Sequence, residues 1–421
     1  MKPKTFWCPH PWETLSAKAD GDLRVCCLAD YSDPKPVIDE NGKKITVGNL
    51  KSLDQYYNAP KLKDLRKAML AGERPEMCRR CWELEDAGGM TERTQLVANR
   101  DSQSYFDRVH PQTGVLVAPA VKHIDFAFSN SCNLKCKMCT PWASDQLVKE
   151  FNELGLVDKE LTFDYKGLWS FDESLRSLIS EAMTTLEYFV IVGGEPLINK
   201  ELLKCLTHIS ESDHAKHIFL RVTTNLTVLP EQFLEVISKF KGVHFLVSID
   251  AIGDMHNYIR YPSKFDRLER NLSRLLNWEN DNFWVEITTC FMSWNLLEFP
   301  RILDYFAKYS RHKKMRGWVP WFNYVTGPDY ACPEALPQAI RVKANAQIAA
   351  AIDHWLPHVD NESDRAKLEM LSSYSKKMIQ TQDTNVIRRF LNFSLKQDRL
   401  RNIDTHAFMP FIQDDSFAPW R

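Results

Sequence analysis

The sequence has no run of about 18 apolar residues, so no segment reads as a membrane-spanning helix. Its first residues, Met1-Lys2-Pro3-Lys4-Thr5-Phe6-Trp7-Cys8, hold no apolar core of a secretory signal, which argues against export. Net charge is also close to nil: 54 Lys and Arg against 55 Asp and Glu leave −1 at pH 7. A chain so balanced does not advertise itself as a binder of nucleic acid or of an acidic membrane. With 44% hydrophobic and 26% charged residues it reads as an ordinary soluble globular protein, expected in the cytoplasm. Its 421 residues leave room for two or three domains, or for one large barrel with appendages.

What the chain does have is cysteine. Eleven thiols without an export signal point away from a disulfide framework and towards metal or redox chemistry. The densest set is Cys132, Cys136 and Cys139, a C-x3-C-x2-C spacing directly after the apolar run Ile124 to Phe128. Three thiolates on a short loop can hold three irons of a [4Fe–4S] cube and leave the fourth open. Four cysteines instead close a cluster or a zinc completely. Alone, the spacing also fits a zinc knuckle.

A second set comprises Cys8, the pair Cys26-Cys27, Cys78 and Cys81. Thr14 to Ala19, a turn at Asp20-Gly21-Asp22, and Leu23 to Cys27 read as a hairpin. Leu62, Leu65, Met69 and Leu70 fall at helical spacing, and Gly72 with Pro75 ends that helix. Cys78-Arg79-Arg80-Cys81 is expected in the loop beyond it. Zinc and iron–sulfur sites share these ligands, so residue type and spacing leave the metal open.

From residue 121 to 326, β-like runs alternate with helical patterns. The strands expected are Val121–Phe128, Leu186–Val192, His217–Thr223, Val243–Ile249, Trp284–Phe291 and Trp318–Val325. Such alternation implies right-handed βαβ units and a parallel sheet. Six repeats fit an α/β fold with a partial (βα)6 barrel of TIM type; a doubly wound open sheet is the rival. Either fold puts chemistry at the carboxyl ends of the strands. The cysteine loop follows the first strand, and Gly193-Gly194-Glu195-Pro196 follows the second, where glycines let backbone approach a ligand. Thr224-Asn225 end the third strand and Ser248-Ile249-Asp250 the fourth, either as ligand contacts or as caps and turns. Cys205 reads as core, and Cys332 near Tyr330 as a structural loop thiol rather than a hydrogen donor.

Together these motifs resemble the radical S-adenosylmethionine (radical SAM) superfamily. The resemblance implies a [4Fe–4S] cluster on Cys132, Cys136 and Cys139 whose open iron chelates SAM. One-electron reduction then gives methionine and a 5′-deoxyadenosyl radical that abstracts a hydrogen atom from substrate. Gly193, Gly194, Glu195 and Pro196 match the family's GGEP motif, which meets the methionine ammonium. Thr224 and Asn225 lie at the same mouth; Ser248 and Asp250 match a ribose-binding S-x-D pattern, with Arg260 placed to pair with the SAM carboxylate. Asn295 is either an adenine contact or a turn residue. Met138 stands where members carry an aromatic against adenine, and its thioether can pack there.

The first hundred residues resemble the SPASM/twitch auxiliary-cluster module, implying a second [4Fe–4S] cluster on Cys8, Cys26, Cys78 and Cys81, with Cys27 as the spare. In the best-known members this module follows the barrel; here it precedes it. The organisation expected is a module at 1–100, a linker at 101–120, the barrel at 121–330 and a C-terminal helical extension at 331–421. Residues 364–401 carry nine Lys/Arg against four Asp/Glu, which reads as solvated helix faces, with attraction of an anionic substrate, a peptide's acidic part or RNA as the alternative. The function expected is oxidative modification of a peptide or protein side chain. A carbohydrate or nucleotide-type small molecule is the alternative substrate, and a non-catalytic iron–sulfur or zinc scaffold the alternative class. An electron donor such as flavodoxin or ferredoxin is the partner implied; no membrane or nucleic-acid partner is expected.

Overall fold

The computed structural model describes residues 6–29, 35–86, 91–98, 100–156, 169–380 and 384–420. Met1 to Thr5, part of the stretch read for an export signal, lie outside the described residues.

Eight strands form one sheet: β1 (Thr14–Ala17), β2 (Leu23–Arg24), β3 (His123–Ala127), β4 (Tyr188–Val192), β5 (Phe219–Thr224), β6 (Gly242–Ser248), β7 (Phe283–Phe291) and β8 (Trp321–Tyr324). Their order is β2-β1-β3-β4-β5-β6-β7-β8. Pairing is antiparallel between β1 and β2, and parallel for β1/β3, β3/β4, β4/β5 and β7/β8. This is the α/β partial barrel that the alternation predicts, with β3 to β8 as its six repeats. The sequence pattern did not foresee that the N-terminal hairpin joins the sheet: β1 extends it beyond β3. Two compact units divide the chain. Met1–Asn130, Tyr165–Val222 and Glu231–Val243 make the first; Ser131–Asp164, Thr223–Pro230 and His244–Arg421 make the second.

In the first unit, alternation along β3 sends Ile124 and Phe126 into the core, Phe126 packing on Trp169 and Phe189. The opposite face carries His123 and Asp125, and the register sets Ser16, Asp125, Val190 and Arg221 in one row. The helix Pro60–Ala71 ends as its sequence demands. Gly72 takes φ 78° and donates to Met69 O, while Glu73 donates to Ala68 O, a Schellman cap. Arg66 of this helix is fully buried; its guanidinium donates to the carbonyls of Gly114, Pro11 and Tyr57. The C-x2-C segment is not a loop. Cys78 closes a 3-10 turn and Cys81 sits within the helix Arg79–Asp86, which Glu76–Arg79 pairing and the Trp82 indole bond to Pro75 O favour. The linker stretch folds too: Asp101 caps a short helix, Ser102–Phe106, and its Tyr105 packs on Trp7 and Trp12.

In the second unit, three C-terminal helices span Gln338–Trp355, Glu362–Lys377 and Thr384–Leu400. Their basic excess is not wholly solvated. Lys367 is buried against Glu286 at 2.7 Å, and Arg401 against Glu150 at 2.8 Å. The aromatic tail docks: Phe417 is buried, and Phe408 stacks on Tyr258 at 4.5 Å.

Candidate active site and cluster pocket

The cysteine loop belongs to the second unit. It has no regular structure of its own and is held from outside by backbone bonds, Lys135 N to Tyr261 O at 2.6 Å and Lys137 N to Ile259 O at 2.9 Å. Cys132 N donates to Asp145 Oδ1 at 3.2 Å, and Ser144 Oγ donates to Leu134 O at 2.6 Å. Cys136 is buried, whereas Cys132 and Cys139 are half-buried. The Cys139 thiol hydrogen-bonds to Cys136 sulfur, holding Cys136 below its usual range; the same bond, with burial, raises Cys139. Cys136 and Cys139 in contact, with Cys132 on the same loop, form a donor set that a multivalent cation would deprotonate. Met138, between Lys137 and Cys139, is half-buried.

Strand ends of the same unit fasten to this loop. Asn225 Nδ2 donates to Asn133 Oδ1 at 2.9 Å, and Asn133 Nδ2 donates to Thr227 Oγ1 at 2.7 Å. Thr224 Oγ1 accepts from Leu226 N at 2.9 Å, in a turn whose Leu226 takes φ 52°. Ser248 is buried at the end of β6. Asp250 is fully buried: Oδ2 takes Arg260 Nε at 2.6 Å and Oδ1 takes Cys290 N at 2.8 Å. Arg260 is therefore paired with Asp250, an internal partner the motif alone did not suggest. Asn295 spends its amide on the backbone, donating to Asp250 O and Cys290 O and accepting from Met292 N. It locks the turn after β7.

The Gly193–Pro196 turn belongs to the first unit. Gly193 takes φ +85°, and a Cβ there would meet Ser129 O at 2.6 Å. Glu195 is buried and caps the short turn Pro196–Ile198, its Oε1 accepting from Leu197 N at 3.0 Å.

The first unit also gathers the second cysteine set. Cys8, Cys26, Cys27, Cys78 and Cys81 line one pocket with His10, Glu92 and Arg93. Burial raises Cys8, Cys26 and Cys78, and neighbouring thiols raise each further; Cys26 feels Cys8 and Cys81, and Cys78 feels Cys26 and Cys81. Burial first, then the Glu85 charge, pushes Cys81 up to about 11. Within this pocket Cys27 has different partners. Its thiol reaches Glu92 Oε2 at 3.8 Å, and its strongest charged neighbour is Asp125. Burial, then the Glu92 charge, pushes Asp125 up to about 6. Repelling thiols around one pocket fit a cationic cluster, which would draw off their protons. Among the described residues, no three His, Cys, Asp or Glu side chains close round a single-ion site.

Residues 126–304 match the radical SAM superfamily, and residues 8–82 match SPASM, an iron–sulfur cluster-binding domain. This chain belongs to the radical SAM superfamily and carries a SPASM domain. As a radical SAM enzyme it takes a [4Fe–4S] cluster and SAM, with auxiliary iron–sulfur chemistry in the SPASM domain. No curated protein sequence matches it. Among solved structures it is similar to Streptococcus suis SuiB bound to S-adenosylmethionine: 15% identity, TM-score 0.37, 74% of this chain and 67% of that one. SuiB bound to precursor peptide SuiA aligns at 13% identity and TM-score 0.37, over 74% of this chain and 66% of that one. Among the described residues of this radical SAM enzyme, no helix is long and apolar enough to cross a membrane.

Asn133, Glu92, Asp125 and Lys137 are site residues that the sequence patterns did not single out. Nothing in their spacing marks them, since each reaches its partner through tertiary packing. The exception is Lys137, whose place between two cysteines was a signal.

Proposed function

We propose that this enzyme oxidises a peptide or protein side chain, with Cys132, Cys136 and Cys139 holding the SAM-binding cluster and Cys8, Cys26, Cys78 and Cys81 an auxiliary one. When bound, the cluster and SAM supply a 5′-deoxyadenosyl radical that takes a hydrogen atom from an unactivated carbon. The chain's own residues orient the cofactor and shape the site. Gly193 and Gly194 leave their backbone unobstructed, and Asn133 and Asn225 tie the strand-end turn to the cysteine loop.

The observation that carries the oxidative reading is the five-thiol pocket, with its half-buried Glu92 and the Asp125 carboxylate next to Cys27. Removing a hydrogen atom leaves a radical that is still one electron and one proton short of an oxidised product. A site for a one-electron acceptor, lying beside the Asp125 carboxylate that burial disposes to take a proton, meets both needs. The peptide class is the one found with SuiB in its SuiA complex. An electron donor of flavodoxin or ferredoxin type completes the reading.

The test is anaerobic reconstitution with iron and sulfide, then reduction in the presence of SAM and a panel of peptides. Expected are about eight irons per chain, falling to about four in Cys132→Ala/Cys136→Ala/Cys139→Ala, and 5′-deoxyadenosine formed with a peptide lighter by two hydrogens. Turnover of carbohydrate or nucleotide substrates alone would overturn the peptide class. Absence of SAM cleavage under every reductant would overturn the radical reading and leave a scaffold.

A further inference from the structure

The Thr384–Leu400 helix and Arg401 beyond it converge on the cysteine loop, inside the second unit. Lys137, the residue after Cys136, is fully buried, and its ammonium meets Asp398 Oδ1 at 2.5 Å and Gln397 Oε1 at 3.3 Å. The same ammonium lies over the Tyr258 ring at 4.1 Å, and the Tyr258 hydroxyl donates to the other oxygen of Asp398 at 2.7 Å. One turn earlier on the helix, Ser394 Oγ takes the Trp294 indole N–H at 3.1 Å. Arg401 donates to Lys135 O at 2.6 Å and to Glu150 at 2.8 Å, and Lys135 Nζ returns to Glu150 at 3.3 Å. Two buried ion pairs thus grip the loop at Lys135 and Lys137, on either side of Cys136.

Burying four charges to hold one short loop is costly. Such pairs are seldom better for stability than apolar packing, whereas breaking one leaves a stranded charge. The arrangement makes sense if the loop must be fixed in one geometry. A second observation points the same way. Arg401 Nη1 is buried and has no hydrogen-bond partner among the described residues, while Nη2 of the same guanidinium holds the carbonyl of Lys135, the residue before Cys136. A buried guanidinium N–H left unpaired against the loop that carries the ligand thiols is a donor for a bound cluster or its thiolates, and such bonds tune cluster potentials.

We propose that Lys137, Asp398 and Arg401 are positioning residues of the radical cluster: the C-terminal helix fixes Cys136 and Cys139 for ligation, and Arg401 Nη1 donates to the cluster's sulfur shell. The C-terminal region is on this view part of the radical machinery rather than an appendage. The proposal rests on the reading of Cys132, Cys136 and Cys139 as cluster ligands, and failure of that reading shows separately, as a wild-type chain that takes no iron on this loop.

The experiment uses the full chain with Cys8→Ser and Cys78→Ser, so that only the loop cluster is seen. Asp398→Asn, Tyr258→Phe, Arg401→Gln and Arg401→Lys are compared by apo melting temperature, iron content, midpoint potential, and the EPR spectrum of the reduced cluster with and without SAM. Asp398→Asn is expected to lose more than half of the loop iron. Arg401→Gln is expected to keep iron but move the potential to more negative values and weaken the SAM-induced EPR change, with Arg401→Lys recovering part of both. Tyr258→Phe, which deletes one hydroxyl, is expected to shift the spectrum in the same direction by less. It serves in place of Asp398→Asn if that variant does not fold. Unchanged iron, potential and EPR in Arg401→Gln and Tyr258→Phe, or lower melting temperatures with unaltered cluster spectra, would overturn the proposal.

Discussion

The Cys27 thiol lies 3.8 Å from Glu92 Oε2, whereas Cys26, one residue earlier, answers to Cys8 and Cys81. Adjacent cysteines on an irregular segment thus meet different partners within one pocket. Cys26→Ser is expected to strip the auxiliary site of its cluster, and Cys27→Ser to leave it with about four irons, as read by iron analysis and Mössbauer spectra. Equal losses in both variants would show that the two thiols exchange as ligands.

Gly193 cannot carry a side chain. Its φ of +85° lies where L residues are strained, and a Cβ would press on Ser129 O at 2.6 Å and Ala127 Cα at 3.0 Å. Gly193→Ala is expected to destabilise the fold by about 1–3 kcal/mol and to weaken SAM binding at least tenfold. Melting temperature and calorimetric titration with SAM would measure the two effects apart.

The Asp250–Arg260 pair has one buried carboxylate serving a guanidinium and the Cys290 N–H at once. Asp250→Ala leaves both donors stranded and is expected to cost about 3–5 kcal/mol. Asp250→Asn, which keeps one acceptor oxygen, should fall between it and wild type in a denaturant series.

Glu286 gives a pH signature. Burial alone would raise it, but the His244 hydrogen bond and the Lys367 charge outweigh that and hold it at about 2, below its ordinary 4.5. A depressed carboxyl contributes stability that is complete above the unfolded value and is lost as pH falls towards the folded one. Wild type should therefore exceed Glu286→Gln by about 3 kcal/mol near pH 6, with the gap closing between about pH 4.5 and 2. A gap that stays constant down to pH 2 would mean the carboxylate is not the charged partner of Lys367.

Much of the architecture is legible from local pattern. The six barrel strands, the Gly72 helix stop and the two cysteine sets all follow from periodicity, turn chemistry or spacing, because each depends on residues near one another in the chain. What the pattern does not carry is long-range partnership. Lys137 meets Asp398 across 261 positions and Arg401 meets Glu150 across 251. In a charge count these are surplus basic residues, and only the fold turns them into internal pairs. The same holds for Asn295, which as a motif position could meet adenine or make a turn, and whose three hydrogen bonds to backbone commit it to the turn. The C-x2-C helix escapes the pattern for a local reason: Pro75 signals the end of one helix, yet proline is equally at home just before a helical turn, where it stands here.

The parallel ladder between β1 and β3 changes what the first hundred residues are for. A barrel sheet that began at β3 would present a bare row of backbone donors and acceptors along Ile124 and Phe126, an apolar strand ready to pair with another molecule. Four residues, Thr14–Ala17, cover that row, and the two-residue β2 leaves only a short fringe beyond them. The segment that gathers the auxiliary thiols is therefore also the hem of the sheet. A chain cut at residue 120 would lose more than a redox site: it would expose a sticky strand, and self-association rather than a smaller soluble enzyme is the outcome its geometry dictates.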